Sequence, residues 1–175
     1  MVSYKQDVMT KMIQFLPISG RVTEISDFTT TAGHEDSGCT KFITVTDAQG
    51  GTVNFIVSPT TYVVDQALIQ IGDWVTGYFD GNAPVPLIYP PQYHALVMVK
   101  INPPQHVKVD FFNSQLVSHD GQLKINLSPF TQLLLTNGQS FTGDPANRNW
   151  IVLYSVATKS IPAQTSPYRM ILLCH

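Results

Sequence analysis

Five histidines (His34, His94, His106, His119 and His175) and two cysteines (Cys39 and Cys174) are the side chains best able to hold a metal or attack a substrate. Zinc sites take their ligands in close pairs, as in C-x-x-C or H-E-x-x-H, because one turn of chain must present two donors on the same side. No such pair occurs. His34-Glu35-Asp36 is the densest group, and it sits in a polar loop where solvation accounts for it. Ser155, Thr158 and Lys159 lack the S-x-x-K spacing of a serine–lysine nucleophile. His119-Asp120 precedes Gly121, where turn chemistry already demands the aspartate. There is no G-x-S-x-G, no Walker loop and no G-x-G-x-x-G. We therefore expect no catalytic residue, no metal ligand and no cofactor, and read the protein as non-enzymatic.

The aromatic residues are better placed. Residues 82–98, NAPVPLIYPPQYHALVM, hold four prolines and two tyrosines without an Asp, Glu, Lys or Arg. Tyr89 and Tyr93, with Tyr78 and Phe79 just upstream, could offer stacking faces to a base, a sugar or an apolar side chain. Proline-fixed backbone would hold them at a small cost in ordering entropy. Pro-rich apolar segments are more often buried connectors. Packing of Ile88, Tyr89 and Tyr93 into a seam is therefore the preferred reading of the segment, and ligand binding the competing one. SIPAQTSP, residues 160–167, poses the same choice. Its prolines exclude a central strand. It is expected to cross against the IYPP segment, or else to line a pocket through Ser160, Gln164 and Thr165.

The elements that must position these residues are strands. A short helix is expected over Ser3–Leu16, where Val8, Met12 and Leu16 share a face and Pro17 would end it. Strands are expected at Arg21–Phe28, Lys41–Asp47, Thr52–Val57, Trp74–Asp80 and Tyr93–Ile101, with a helical turn in SPTTYVVDQALIQ. Three strands, a connector and two more strands is the element order of an OB-fold barrel. NPPQ (102–105) reads as a linker. Beyond it, Val107–Phe112, Trp150–Ala157 and Arg169–Cys174 read as strands. Asp120-Gly121 and Asn137-Gly138 read as type I′ hairpin turns. The expected fold is all-β: an N-terminal helical segment (1–17), an OB-like barrel (18–102) and a second β module (105–175) packed on the first.

Composition narrows the partner. Of 175 residues, 43% are hydrophobic and only 13% charged, so a core is readily built and disorder is not expected. The net charge is -2, and the ten Lys and Arg residues are scattered with no two adjacent. A protein that grips phosphates would show a basic cluster, so nucleic acid is not favoured, although the OB order keeps it as an alternative. No apolar run approaches the roughly 20 residues that span a bilayer, and no secretory signal is evident. A cytoplasmic location with reduced cysteines is expected.

Three stretches, GDWVTGYFDGNAPVPLIYPPQYHALVM, FFNSQLVSHDGQLKINL and YSVATKSIPAQTSPYRMIL, resemble an uncharacterised family of Firmicute-type bacterial proteins. The resemblance spans roughly residues 20–174 and implies that both halves belong together. It implies no activity. The expected function is a binding or interaction module that uses Tyr78, Phe79, Tyr89 and Tyr93, extended by Ser160, Gln164 and Thr165. A protein or peptide partner fits the low charge best. Homo-oligomer formation through the Pro-rich surface is a further alternative.

Overall fold

Runs of branched and aromatic residues, broken by Gly, Pro and Asx turns, leave the chain little choice but short strands. In the computed structural model, which describes residues 12–28 and 38–174, thirteen strands form three sheets. The all-β class is as expected. The first sheet has seven strands: β1 (Phe15–Asp27), β2 (Lys41–Thr46), β3 (Thr52–Val57), β4 (Tyr62–Val63), β5 (Trp74–Asp80), β6 (Gln92–His94) and β7 (Val97–Lys100). The second has four: β8 (His106–Phe112), β10 (Gln132–Leu135), β11 (Arg148–Tyr154) and β13 (Arg169–Leu173). A third small sheet pairs β9 (Leu123–Ile125) with β12 (Ala163–Thr165) in parallel.

β1 is the organising strand of the first sheet. Its first half, Phe15–Arg21, pairs antiparallel with β5, and its second half, from Arg21 on, pairs with β2. Gly20 sits where the strand changes partner, and a Cβ there would lie 2.5 Å from the Thr46 carbonyl oxygen. β2 continues antiparallel into β3. β3 then takes β6 in parallel, while β5 takes β7 antiparallel. Only Ala95 and Leu96 separate β6 from β7, so one segment, residues 92–100, joins both ends of the meander.

The strand phases assign three cores. Val22, Val45, Phe55, Val75, Phe79 and Met98 pack together as the first sheet's own core. Tyr78, Val97 and Val99, out of phase with these, meet Val109, Ile151, Leu153, Ile171 and Leu173 of the second sheet. The opposite side chains of β11 and β13, including Trp150, Val152, Met170 and Leu172, meet Leu123 and Ile125 of the small sheet. β11 and β13 are thus buried on both faces, which is why WIVLY and MILL are unbroken apolar runs rather than alternating ones.

Several expectations are corrected. Ser3–Lys11, most of the expected helix, lies outside the described residues. Its end is not helical: Met12–Gln14 is irregular and the chain is a strand from Phe15. Pro17 is tolerated there because Phe15–Gly20 pair on one side only, with β5. The first sheet starts earlier than residue 18 and includes β4, so its membership differs from the barrel expected over 18–102. The connector expected to be helical contains β4 and one 3-10 turn, Val64–Gln66, with Asp65 and Gln66 at positive φ. At the two hairpins only Gly121 and Gly138 have positive φ, so neither turn is type I′. Instead, Asp120 Oδ1 and Asn137 Oδ1 accept the N–H groups of Gln122 and Gln139, at 3.0 and 3.1 Å.

Candidate functional site

The Pro-rich segment is a loop with two fixed feet and a free middle. At its start, Asp80 Oδ1 accepts the N–H groups of Gln14 (3.1 Å) and Asn82 (2.9 Å), and Asn82 Nδ2 donates to the Met12 carbonyl at 2.9 Å. At its end, the Pro91 carbonyl accepts the Asn54 N–H at 2.9 Å, and Gln92–His94 join β3. Between these feet the chain projects: Leu87, Ile88 and Tyr89 are 101%, 50% and 83% exposed. The expected burial of Ile88 and Tyr89 between the halves is not observed. The seam is filled instead by Tyr78, Val97 and Val99, which strand alternation delivers without help from the loop.

Under the loop lies a cleft of about 410 Å³. Ala83, Pro84, Val85 and Pro86 form one wall, and Ile56, Leu96 and Phe28 line it from the sheet side. Phe79 and Tyr93 also line it, their rings stacked with centroids 3.9 Å apart and planes 18° apart. Phe28 is itself stacked on Phe42, at 5.8 Å. Polar groups come from Asp80, Gln92 and His94. No Lys or Arg lines the cleft among the described residues, and the single carboxylate, Asp80, is unfavourable to a phosphate.

The seven residues singled out from the sequence fall into three places. Phe79 and Tyr93 meet in the cleft, and Tyr89 stands on the projecting loop above it. Tyr78 points the other way, into the seam: it is 6% exposed and its hydroxyl donates to the Val107 carbonyl at 3.1 Å. Burial, reinforced by nearby Tyr154, pushes its pKa up to about 12. Tyr78 is therefore a seam residue and not a contact surface. Ser160, Gln164 and Thr165 belong to the second module. Thr165 is 3% exposed and donates to the Val156 carbonyl at 2.6 Å, and Ala163–Thr165 is a strand on β9. Ser160 Oγ donates to the Pro162 carbonyl and shares a 2.7 Å hydrogen bond with Thr158 Oγ1. Gln164 Oε1 accepts from Asn126 Nδ2 at 3.2 Å. These bonds shape the loop from within its own module, and the expected crossing against IYPP is replaced by pairing with β9.

The sequence reading missed Ile56, Phe28 and Asp80. A signal for Ile56 was present. In TVNFIV it is the apolar residue out of phase with Val53, Phe55 and Val57, and such a residue needs cover on the outer face of the sheet. Asp80 ends an expected strand, and no local feature marks it as part of a cleft.

The remaining polar clusters have structural explanations. Ser118, 2% exposed, donates to Asp120 Oδ1 at 2.6 Å and accepts the Leu123 N–H at 2.9 Å. Partial burial works to raise the Asp120 pKa, but Lys108, Ser118 Oγ and the Gln122 N–H together hold it below the ordinary carboxylate range. Burial raises that of neighbouring Asp110, which accepts the Phe111 and Asp120 N–H groups. A second cleft of about 400 Å³, beside Asp65, Lys100, Asn102 and Gln105, has its lysine paired with Asp73 at 3.3 Å. His34 and His175 lie outside the described residues. Among the described residues, no three of His, Cys, Asp or Glu converge as metal ligands, and no helix is long and apolar enough to cross a membrane. No protein-family model matches the chain, and no curated protein is significantly similar to it.

Proposed function

We propose that the protein is a non-enzymatic binding module that holds an apolar or aromatic side chain of a protein or peptide partner in the cleft beneath its Pro-rich loop. The observation that carries this reading is the conjunction of the Phe79–Tyr93 stack with the Ala83–Pro86 wall around a cleft of about 410 Å³, a size usual for ligand sites. We read the first sheet as an OB-like ring: β1, β2 and β3 form the meander, and residues 92–100 join β3 to β5 and so back to β1. In that fold the loops after the first and fourth strands frame the ligand face. Phe28, at the end of β1, and residues 81–91 occupy those positions here. Cys39 and Cys174 are free and exposed, in keeping with a reducing, cytoplasmic location. Kinship with the Firmicute-type family remains a proposal resting on residue resemblance.

Titration calorimetry with short peptides, each carrying one Phe, Tyr or Leu in an uncharged or basic context, tests the reading. Saturable binding that changes little with salt and is lost in His94→Glu, an exposed cleft position, is the expected result. The aromatic stack and the OB-like order favour one rival, single-stranded nucleic acid. Oligonucleotide binding that falls steeply with salt would support that rival and overturn the peptide reading.

A further inference from the structure

The loop that walls the cleft also carries three consecutive exposed apolar residues, Leu87, Ile88 and Tyr89. We infer that the partner whose side chains enter the cleft is a second copy of this chain, the Leu87–Tyr89 tip of each copy seated beneath the loop of the other. The inference rests on the reading of the cleft as a binding site and names its occupant.

Three observations converge on a second copy. First, tip and cleft belong to one loop, so a two-fold axis beside it brings each tip to the other's cleft, with residue i on j and j on i, as an isologous interface requires. Second, Gly81–Tyr93 carries no charged side chain, and the one carboxylate of the cleft, Asp80, is held at the loop's foot by the Gln14 and Asn82 N–H groups. Like-charge repulsion between two copies of this face is therefore limited to that pair, and the net charge of -2 adds little at longer range. Third, Pro84, Pro86, Pro90 and Pro91 fix the backbone on either side of the tip, which lowers the ordering cost of insertion.

In the second sheet, strand addition, the other common route to self-assembly, is obstructed: the outer side of β8 is taken by Ser118 and His119, and that of β10 by Gln139–Phe141. A contact confined to one loop and the cleft beneath it should be weak, with dissociation in the micromolar range or above.

The test is sedimentation equilibrium of the full chain from low micromolar to near-millimolar concentration. Two exposed-site variants accompany it: a tip variant carrying Leu87→Asp and Tyr89→Asp, and the cleft variant His94→Glu. We expect the wild-type mass to rise toward twice the monomer, and each variant alone to associate more weakly by a factor of about ten at least. An equimolar mixture of the two variants should regain part of the association, because one intact tip can still enter one intact cleft. A synthetic peptide copying residues 84–91 should compete with the dimer. A wild-type chain that stays monomeric, or a dimer indifferent to both variants, overturns the inference. If the chain is monomeric but foreign peptides still bind in a His94-dependent way, the second copy is excluded and the binding module stands. If neither a second copy nor any peptide binds, both readings fall.

Discussion

The rings of Phe79 and Tyr93 lie face to face, 3.9 Å between centroids and 18° from parallel, and so tie β5 to β6 across the two feet of the Pro-rich loop. Phe79 is buried in the first core while Tyr93 is half-buried and opens onto the cleft. One contact thus serves both stability and the proposed site. Replacing Tyr93 with Ala should cost about 2–3 kcal/mol, from lost burial and the lost ring pair. It should abolish peptide binding at the same time. Tyr93→Phe keeps the ring and should stay within about 0.5 kcal/mol of wild type in denaturant unfolding.

Tyr78 makes the alkaline limb of stability measurable. Its folded pKa is raised, to about 12, above the ordinary tyrosine value of 10.0. A raised folded pKa means that the contribution is complete below the unfolded value and is lost as pH rises through the folded one. Stability should therefore decline between about pH 10 and pH 12, with roughly 2–3 kcal/mol attributable to this group. Tyr78→Phe should flatten that decline in unfolding curves taken across the window. Tyr154 and Tyr62, both raised by burial, will leave a residual slope.

Gly77 faces the ring of Phe55, and a Cβ there would lie 2.5 Å from the nearest ring carbon. Phe55 is fully buried and has no room to retreat. Gly77→Ala should destabilise by about 1–3 kcal/mol through overpacking. A shift of that size in the denaturant midpoint, without change in its slope, checks it.

Ser118 links the β8 hairpin to β9 through Asp120, Gln122 and Leu123. Ser118→Ala leaves the buried Leu123 N–H without its acceptor and removes one of the two donors to Asp120 Oδ1, the Gln122 N–H remaining. The expected loss is about 1–3 kcal/mol in thermal or denaturant unfolding, with the second module the more affected.

Leu87 offers the opposite case. Fully exposed, it contributes nothing to either core, so Leu87→Asp should change stability by no more than about 0.5 kcal/mol. A larger loss would mean that the loop packs on its own molecule after all.

The sequence by itself marked the longer strands from β2 on, though not the start of β1, nor β4 or β12. Alternation in KFITVT and TVNFIV, the Gly-Asp entry into WVTGYFD and the unbroken apolar runs WIVLY and MILL each fix a local conformation through side-chain shape and period. Charge scarcity and the lack of ligand pairs were equally legible, since they need no geometry. The tertiary structure alone decided where Tyr78 and Phe79 point. Adjacent strand residues face opposite sides, and only the presence of a second sheet against one side makes Tyr78 a seam residue while Phe79 joins the cleft. It decided likewise that the Pro-rich loop stands free. Both halves present complementary apolar strand faces to each other, and these already fill the seam. No local property of PVPLIYPP could reveal that the space was taken.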